Sequence, residues 1–197
     1  MTARPIAAIL LITALLVSPS LQARAGDGMR AFERGDYGAA LLVWKPFAEQ
    51  GSARAQYNIS LLYEKGLGVD QDAAKALLWR TRAAVSGSLL AQKRLARMYD
   101  EGSGAHKDPA EAHKWYLVTA PRGDVHAQKR LAYQFVSGEG ARPDMTQAYL
   151  WYSVAAHSGD KGAERDMKWL VAEMTPSQFR EGKRLTEIWF ENRRRLD

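Results

Sequence analysis

The chain has 197 residues, 46% of them hydrophobic, with six Trp and five Phe, which is enough apolar material for one core or one row of stacked units. It contains no cysteine, which excludes a disulfide framework, a thiolate metal site and a lipid attached through Cys. The formal charge of +6 points to acidic partners rather than basic ones.

Arg4 gives a weakly positive start, residues 6–17 form an apolar run broken only by Thr13, and Ala23-Arg24-Ala25 has the form of a cleavage site. This pattern predicts a secretory signal peptide over residues 1–25, cut between Ala25 and Gly26. The run is too short for the roughly 20 residues of a spanning helix. A periplasmic or secreted protein with no transmembrane segment after cleavage is therefore expected. Losing Arg4 and Arg24 leaves a formal charge of about +4.

Residues 26–50 read as a degenerate N-terminal capping unit. A short first helix is expected at about residues 28–34, with its loop reduced to Gly35. Asp36 and Ala40 keep the register of the units that follow, and Trp44 stands one position out of register with Trp79. Pro46 lies inside the second helix and predicts a kink.

Residues 51–86, 87–122 and 123–158 then align without a gap at a shift of 36, three full repeats. In each, a first helix buries Ala55, Ile59 and Tyr63, or Ala91, Leu95 and Tyr99, or Ala127, Leu131 and Phe135, four apart as a helical stripe requires. Paired glycines, Gly66/Gly68, Gly102/Gly104 and Gly138/Gly140, supply a left-handed C-cap and a turn. Asp72, Asp108 and Asp144 are placed to cap a second helix, with Glu111 and Gln147 at the capping-box position. That helix carries Ala76, Ala112 and Ala148 for close approach and Trp79, Trp115 and Trp151 as anchors. Pro121 predicts an early helix end near Ala120. Residues 159–197 read as C-terminal capping helices, the first starting around Ala163, the second opened by Thr175, Pro176 and Gln178. The fold class expected is all-α, a right-handed α-solenoid of stacked helix-turn-helix hairpins with degenerate capping units at both ends.

The columns A-Q-x-x-L/I, Y/F, G-x-G, D, A, W-Y and A-A-x-x-G resemble the Sel-one-like repeat (SLR) family, a relative of the tetratricopeptide repeat. Arg80 departs from the aromatic held by Tyr116 and Tyr152, and Gln134 from the apolar Leu62 and Met98. The resemblance implies a superhelical scaffold for protein contacts and no enzymatic activity.

Opposite the buried stripe, the first helices present Arg54, Tyr57, Asn58 and Leu61, then Leu90, Lys93, Arg94 and Arg97, then His126, Lys129, Arg130 and Tyr133. Tyr57, Asn58, Leu61, Lys93, Arg94, Arg97, Lys129, Arg130 and Tyr133 make the candidate binding surface on a concave wall, and its five cations imply an acidic protein partner. The bland alternative is a solvated basic face partly balanced by Asp100 and Glu101. An anionic envelope glycan or lipid headgroup is a second reading of the same surface. Arg193, Arg194 and Arg195 invite a nucleic-acid reading, but export argues against it.

No catalytic or metal site is legible and no cofactor is expected. His106, His113, His126 and His157 fall on unrelated columns, without an HExxH or G-x-S-x-G motif. A cell-wall hydrolase, the weakest reading, would have to use carboxylates such as Glu64, Asp100 and Glu101, which sit at helix ends beside basic residues.

Overall fold

The computed structural model describes the backbone of residues 19–195 and the side chains from residue 26 onward. The described residues form α1 (Pro19–Glu33), α2 (Tyr37–Glu49), α3 (Ala53–Lys65), α4 (Ala73–Val85), α5 (Leu89–Glu101), α6 (Pro109–Thr119), one 3-10 turn (Ala120–Arg122), α7 (Val125–Ser137), α8 (Met145–His157), α9 (Lys161–Glu173) and α10 (Pro176–Arg194). Helices pair as α1/α2, α3/α4, α5/α6 and α7/α8, and each second helix packs on the first helix of the next pair. That connectivity is a solenoid, in which each unit touches only its neighbours. The closing helix α10 packs on α8, in the manner of a further second helix.

The apolar run at residues 6–17 lies outside the described residues. Within the described residues helix α1 covers Pro19–Glu33, so it is longer than the short helix expected at residues 28–34, and it runs through the Ala25–Gly26 position. Pro46 does not end α2, which continues to Glu49. The carbonyl that loses its donor belongs to Leu42, four residues back, and Leu42 is 76% exposed, so the missing amide falls on the solvent side of the helix, where its loss is least costly. Pro121 acts as expected: α6 stops at Thr119 and one 3-10 turn follows.

The stripe residues Ala55, Ile59, Ala91, Leu95, Ala127 and Leu131 are all buried. Asp72, Asp108 and Asp144 cap the second helices by accepting from Lys75, Glu111 and Gln147 amides at 2.8, 3.0 and 3.1 Å. The reciprocal half of the capping box is absent at Glu111, whose carboxylate pairs with Lys114 instead. Thr175 and Gln178 do form the complete box, at 3.2 and 2.9 Å.

Gln56, Gln92 and Gln128 were conspicuous in the repeat as letters, and the structure gives them a task. Each is buried and donates its Nε2 to a carbonyl at the end of the preceding second helix, at Ala48 and Ala84, or of the 3-10 turn that extends it, at Ala120, at 2.9, 2.9 and 3.0 Å. One side chain thereby adds a second donor to a helix-end carbonyl that already accepts from the Gly51, Gly87 or Gly123 amide, and ties consecutive hairpins together.

In two of the turns the second glycine, Gly68 or Gly140, does more than turn, since a Cβ there would meet the backbone of the preceding unit's second helix. Gly140 has φ +81°, and a Cβ there would overlap the Pro109 carbonyl, lying 2.5 Å from its carbon. The third-repeat loop thus rests directly on the start of α6. Gly140→Ala is expected to cost about 2 to 3 kcal/mol, from the left-handed backbone and the overlap together. Gly159→Ala, at φ +90° with nothing within 4 Å of its Cβ, is expected to cost only about 1 kcal/mol. Equal losses in urea denaturation would remove the close-approach account.

Candidate partner-binding face

The nine candidate residues lie on three first helices: Tyr57, Asn58 and Leu61 on α3, Lys93, Arg94 and Arg97 on α5, and Lys129, Arg130 and Tyr133 on α7. Their exposure is uneven. Arg94, Arg97 and Tyr133 are exposed, whereas the other six are half-buried, with Tyr57 packed against the core of the second repeat.

Four of the five cations are held by carboxylates of adjacent units. Arg94 reaches back to Glu64 at 3.1 Å and Arg130 back to Asp100. Lys93 reaches forward to Asp124 at 3.6 Å and Lys129 forward to Asp160 at 3.1 Å. The two arginines share one repeat position and the two lysines another, so the same pair of bridges recurs at successive junctions. Their partners Asp124 and Asp160 sit at the N-cap positions of α7 and α9. Arg97 alone of the five has no ion pair among the described residues.

Behind this face lies a polar layer that sequence reasoning missed. Arg80 is 1% exposed, donates to Glu64 Oε2 at 2.6 Å and touches Met98 Sδ at 3.0 Å. One repeat on, Tyr116 occupies the Arg80 position and its hydroxyl donates to Asp100 Oδ2 at 2.8 Å. Burial pushes the Glu64 carboxyl up, but the charges and hydrogen bonds of Arg80 and Arg94 outweigh it and hold it below the usual range. Burial first, and Asp100 second, push the Tyr116 phenol well up. In the third repeat Val136 stands at the Glu64 and Asp100 position, and Tyr152 is pushed up to about 12 by burial and then by Asp166.

His126 stands 3.5 Å from the Tyr116 hydroxyl. Burial and then the charge of Arg97 hold its imidazole below the ordinary value, so it is neutral at physiological pH. The layer therefore brings carboxylate, phenol and imidazole side by side. No group of His, Asp or Glu able to hold a metal ion occurs among the described residues, and no described helix is long and apolar enough to cross a membrane.

What stays open on the outward face is one repeat position, at which Arg97, Tyr133 and, on α9, Trp169 are exposed, and Leu61 half-buried. Tyr133 is 44% and Trp169 56% exposed. Trp169 is absent from the sequence-based candidates, although it stands one 36-residue period after Tyr133. Arg130 lies over the Tyr133 ring at 4.8 Å, so the fixed ion-pair layer also orients the exposed aromatic.

The Sel1 repeat family matches residues 53–88, 89–120 and 125–160. Among solved structures, a Sel1 repeat protein from Oxalobacter formigenes superposes with a TM-score of 0.65 at 28% identity, over 77% of this chain and 66% of that one. A protective antigen of uropathogenic Escherichia coli strains, displaying an SLR fold, superposes with a TM-score of 0.63 at 28% identity, over 75% of this chain and 32% of that one. The chain thus spans less than two thirds of either protein. No curated protein matches it. Three matched repeats covering more than half of the residues, on a solenoid of the same kind, establish that this chain belongs to the Sel1 repeat family.

Proposed function

We propose that the chain is an exported interaction scaffold that holds a protein partner along the concave wall formed by its first helices. Sel1 repeat proteins are generally protein–protein interaction scaffolds and typically not enzymes. The observation that carries the reading here is the row of exposed Arg97, Tyr133 and Trp169 at one repeat position, with half-buried Leu61 at its N-terminal end. Exposed aromatics and arginine at the same register are the residues that anchor interfaces. On this reading the partner presents apolar side chains to Tyr133 and Trp169 and a carboxylate to Arg97. The partner's acidic character matters less than the composition of the face suggests, because its other four cations already have carboxylates.

The ion pairs also decide how to test the face. Reversing Lys93, Arg94, Lys129 and Arg130 would break inter-repeat bridges, so a loss of binding would not distinguish contact from misfolding. The informative variant is Arg97→Glu, Tyr133→Ala, Trp169→Ala, all on exposed side chains, with its fold checked by circular dichroism. In affinity capture from a cell-envelope extract, a protein retained by the wild type is expected to fall at least tenfold with the variant, as the loss of more than one anchor implies. Equal retention would remove this face from the proposal. N-terminal sequencing of the envelope-fraction protein is expected to begin at Gly26, and an intact Met1 there would overturn the export reading.

A further inference from the structure

The amides of Gln56, Gln92 and Gln128 are each oriented by the carbonyl they donate to, which leaves Oε1 as the free end of each. The Gln92 Oε1 accepts from the Arg122 guanidinium at 2.8 Å. One repeat later the Arg122 position is Ser158, and its hydroxyl is spent on the Val154 carbonyl at 3.1 Å. Gln128 is 1% exposed, and its Oε1 has no donor. Buried acceptors without a partner are rare in folded proteins. Gln56 Oε1 is likewise unpartnered, but Gln128 differs in lining a cavity of about 280 Å³ between α10 and the third repeat.

The other walls of that cavity have two further chemistries. Val154, Trp189 and Phe190 form an apolar side, with the two aromatic rings in an edge contact at 5.0 Å. Arg193 and Arg194 supply guanidinium groups. Arg193 is held in place, donating to the Pro121 carbonyl and lying 5.4 Å over Trp189. Arg194 is exposed and has no ion pair among the described residues.

We infer that this cavity binds the carboxylate end of an N-acyl amino acid unit with an apolar side chain. Its amide N–H donates to Gln128 Oε1, its carboxylate meets Arg194 and the remaining donors of Arg193, and its side chain lies against Val154, Trp189 and Phe190. This chemistry uses all three kinds of wall. A cation would face two guanidinium groups, a fully ionised inorganic anion brings no donor for Gln128, and an apolar molecule would leave every polar group unpaired. The volume is just below the roughly 300 Å³ at which drug-sized pockets begin, which suits one residue. The same unit occurs at the C-terminus of a peptide or as a free molecule. The site uses no residue of the first-helix face, so either proposal can fail alone.

The test is isothermal titration calorimetry of the full chain with acetyl-leucine, with acetyl-Gly-Gly-Leu as the free acid, and with the same tripeptide amidated. The free acids are expected to bind and the amide to bind roughly tenfold or more weakly, the scale of one lost charge-assisted contact. Arg194→Gln, on an exposed side chain, is expected to weaken the acids by a similar factor and to erase the acid–amide difference. Gln128→Met, checked for folding by circular dichroism, is expected to weaken acid and amide alike. A tripeptide tighter than acetyl-leucine identifies the ligand as a peptide terminus, and equal affinities identify a free small molecule. No heat from either acid up to millimolar concentration, equal binding of acid and amide, inorganic phosphate binding as tightly as the acids, or an unchanged Arg194→Gln would each overturn the inference.

Discussion

Asp100→Ala is expected to lower the unfolding free energy by about 3 kcal/mol, the low end of the range for removing one partner of a buried, hydrogen-bonded ion pair, because the carboxylate is buried and Arg130 only half so. Asp100 is 7% exposed and bound by two donors from different elements, the Tyr116 hydroxyl on α6 and the Arg130 guanidinium on α7. Alanine leaves both donors without their acceptor. Arg130 has little else to turn to: its Nε is already buried without a partner, and Glu139 lies 4.0 Å away. Tyr116→Phe removes only one neutral donor from a carboxylate that keeps Arg130, and is expected to cost about 1 kcal/mol. The Asp100–Arg130 bridge joins the second repeat to the third, and solenoid stability is approximately a sum of unit and junction terms. Urea unfolding of Asp100→Ala followed by circular dichroism is therefore expected to show a shifted and broadened transition. A loss under about 1 kcal/mol would place the pair among solvated surface bridges.

The regular part of this architecture is legible because it repeats: alanine, leucine, glycine and aspartate recur every 36 residues and each has one job. What escapes self-alignment is complementarity. Residues 16 apart within a hairpin face each other, as Gly28/Trp44, Glu64/Arg80 and Asp100/Tyr116 do. Trp44 therefore is not a displaced Trp79. It occupies the position of Arg80, Tyr116 and Tyr152, and it fits because Gly28 has no Cβ, which would lie 2.6 Å from the indole Cδ1. Each hairpin solves the contact with a different pair, so the letters in the two columns disagree and an alignment scores them as noise. The basic row has the same origin. Arg94 and Arg130 appear at the junctions where the facing residue is Glu64 or Asp100; where it is Gly28 or Val136, the corresponding residues are Asn58 and Asp166. The row was readable as charge, but its carboxylates lie some 30 residues away in sequence and come together only on stacking. Trp169 could have been found by extending the Tyr133 position one further period into the cap. The packing of α10 on α8 had no such signal, because nothing periodic marks which neighbour a terminal helix chooses.

Glu64→Gln is the second large effect expected, about 3 kcal/mol, because the fully buried Arg80 then keeps its charge and loses its counter-ion. The glutamine oxygen can still accept a hydrogen bond but carries no charge, the other contact, Met98 Sδ, is a weak acceptor, and Arg80 Nε already has none. The pH dependence follows from the lowered Glu64 value. A carboxyl held below its unfolded value contributes stability that is complete above about pH 4.5 and is lost as the pH falls through the lowered folded value. Between about pH 5 and 3 the wild type should accordingly lose more stability than Glu64→Gln, which has no carboxylate to protonate there, and the two urea midpoints should converge. Parallel midpoints down to pH 3 would mean that Glu64 is not the group coupled to Arg80. The next hairpin supplies the rescue: Glu64→Asp with Arg80→Tyr recreates the Asp100/Tyr116 pair at the preceding position. That double variant is expected to recover to within about 1 kcal/mol of the wild type, since it exchanges a buried ion pair for a neutral donor on a carboxylate that Arg94 still neutralises. Recovery would show that this position tolerates any complementary pair, and a loss equal to that of Glu64→Gln would show that the Arg80 guanidinium is needed for itself.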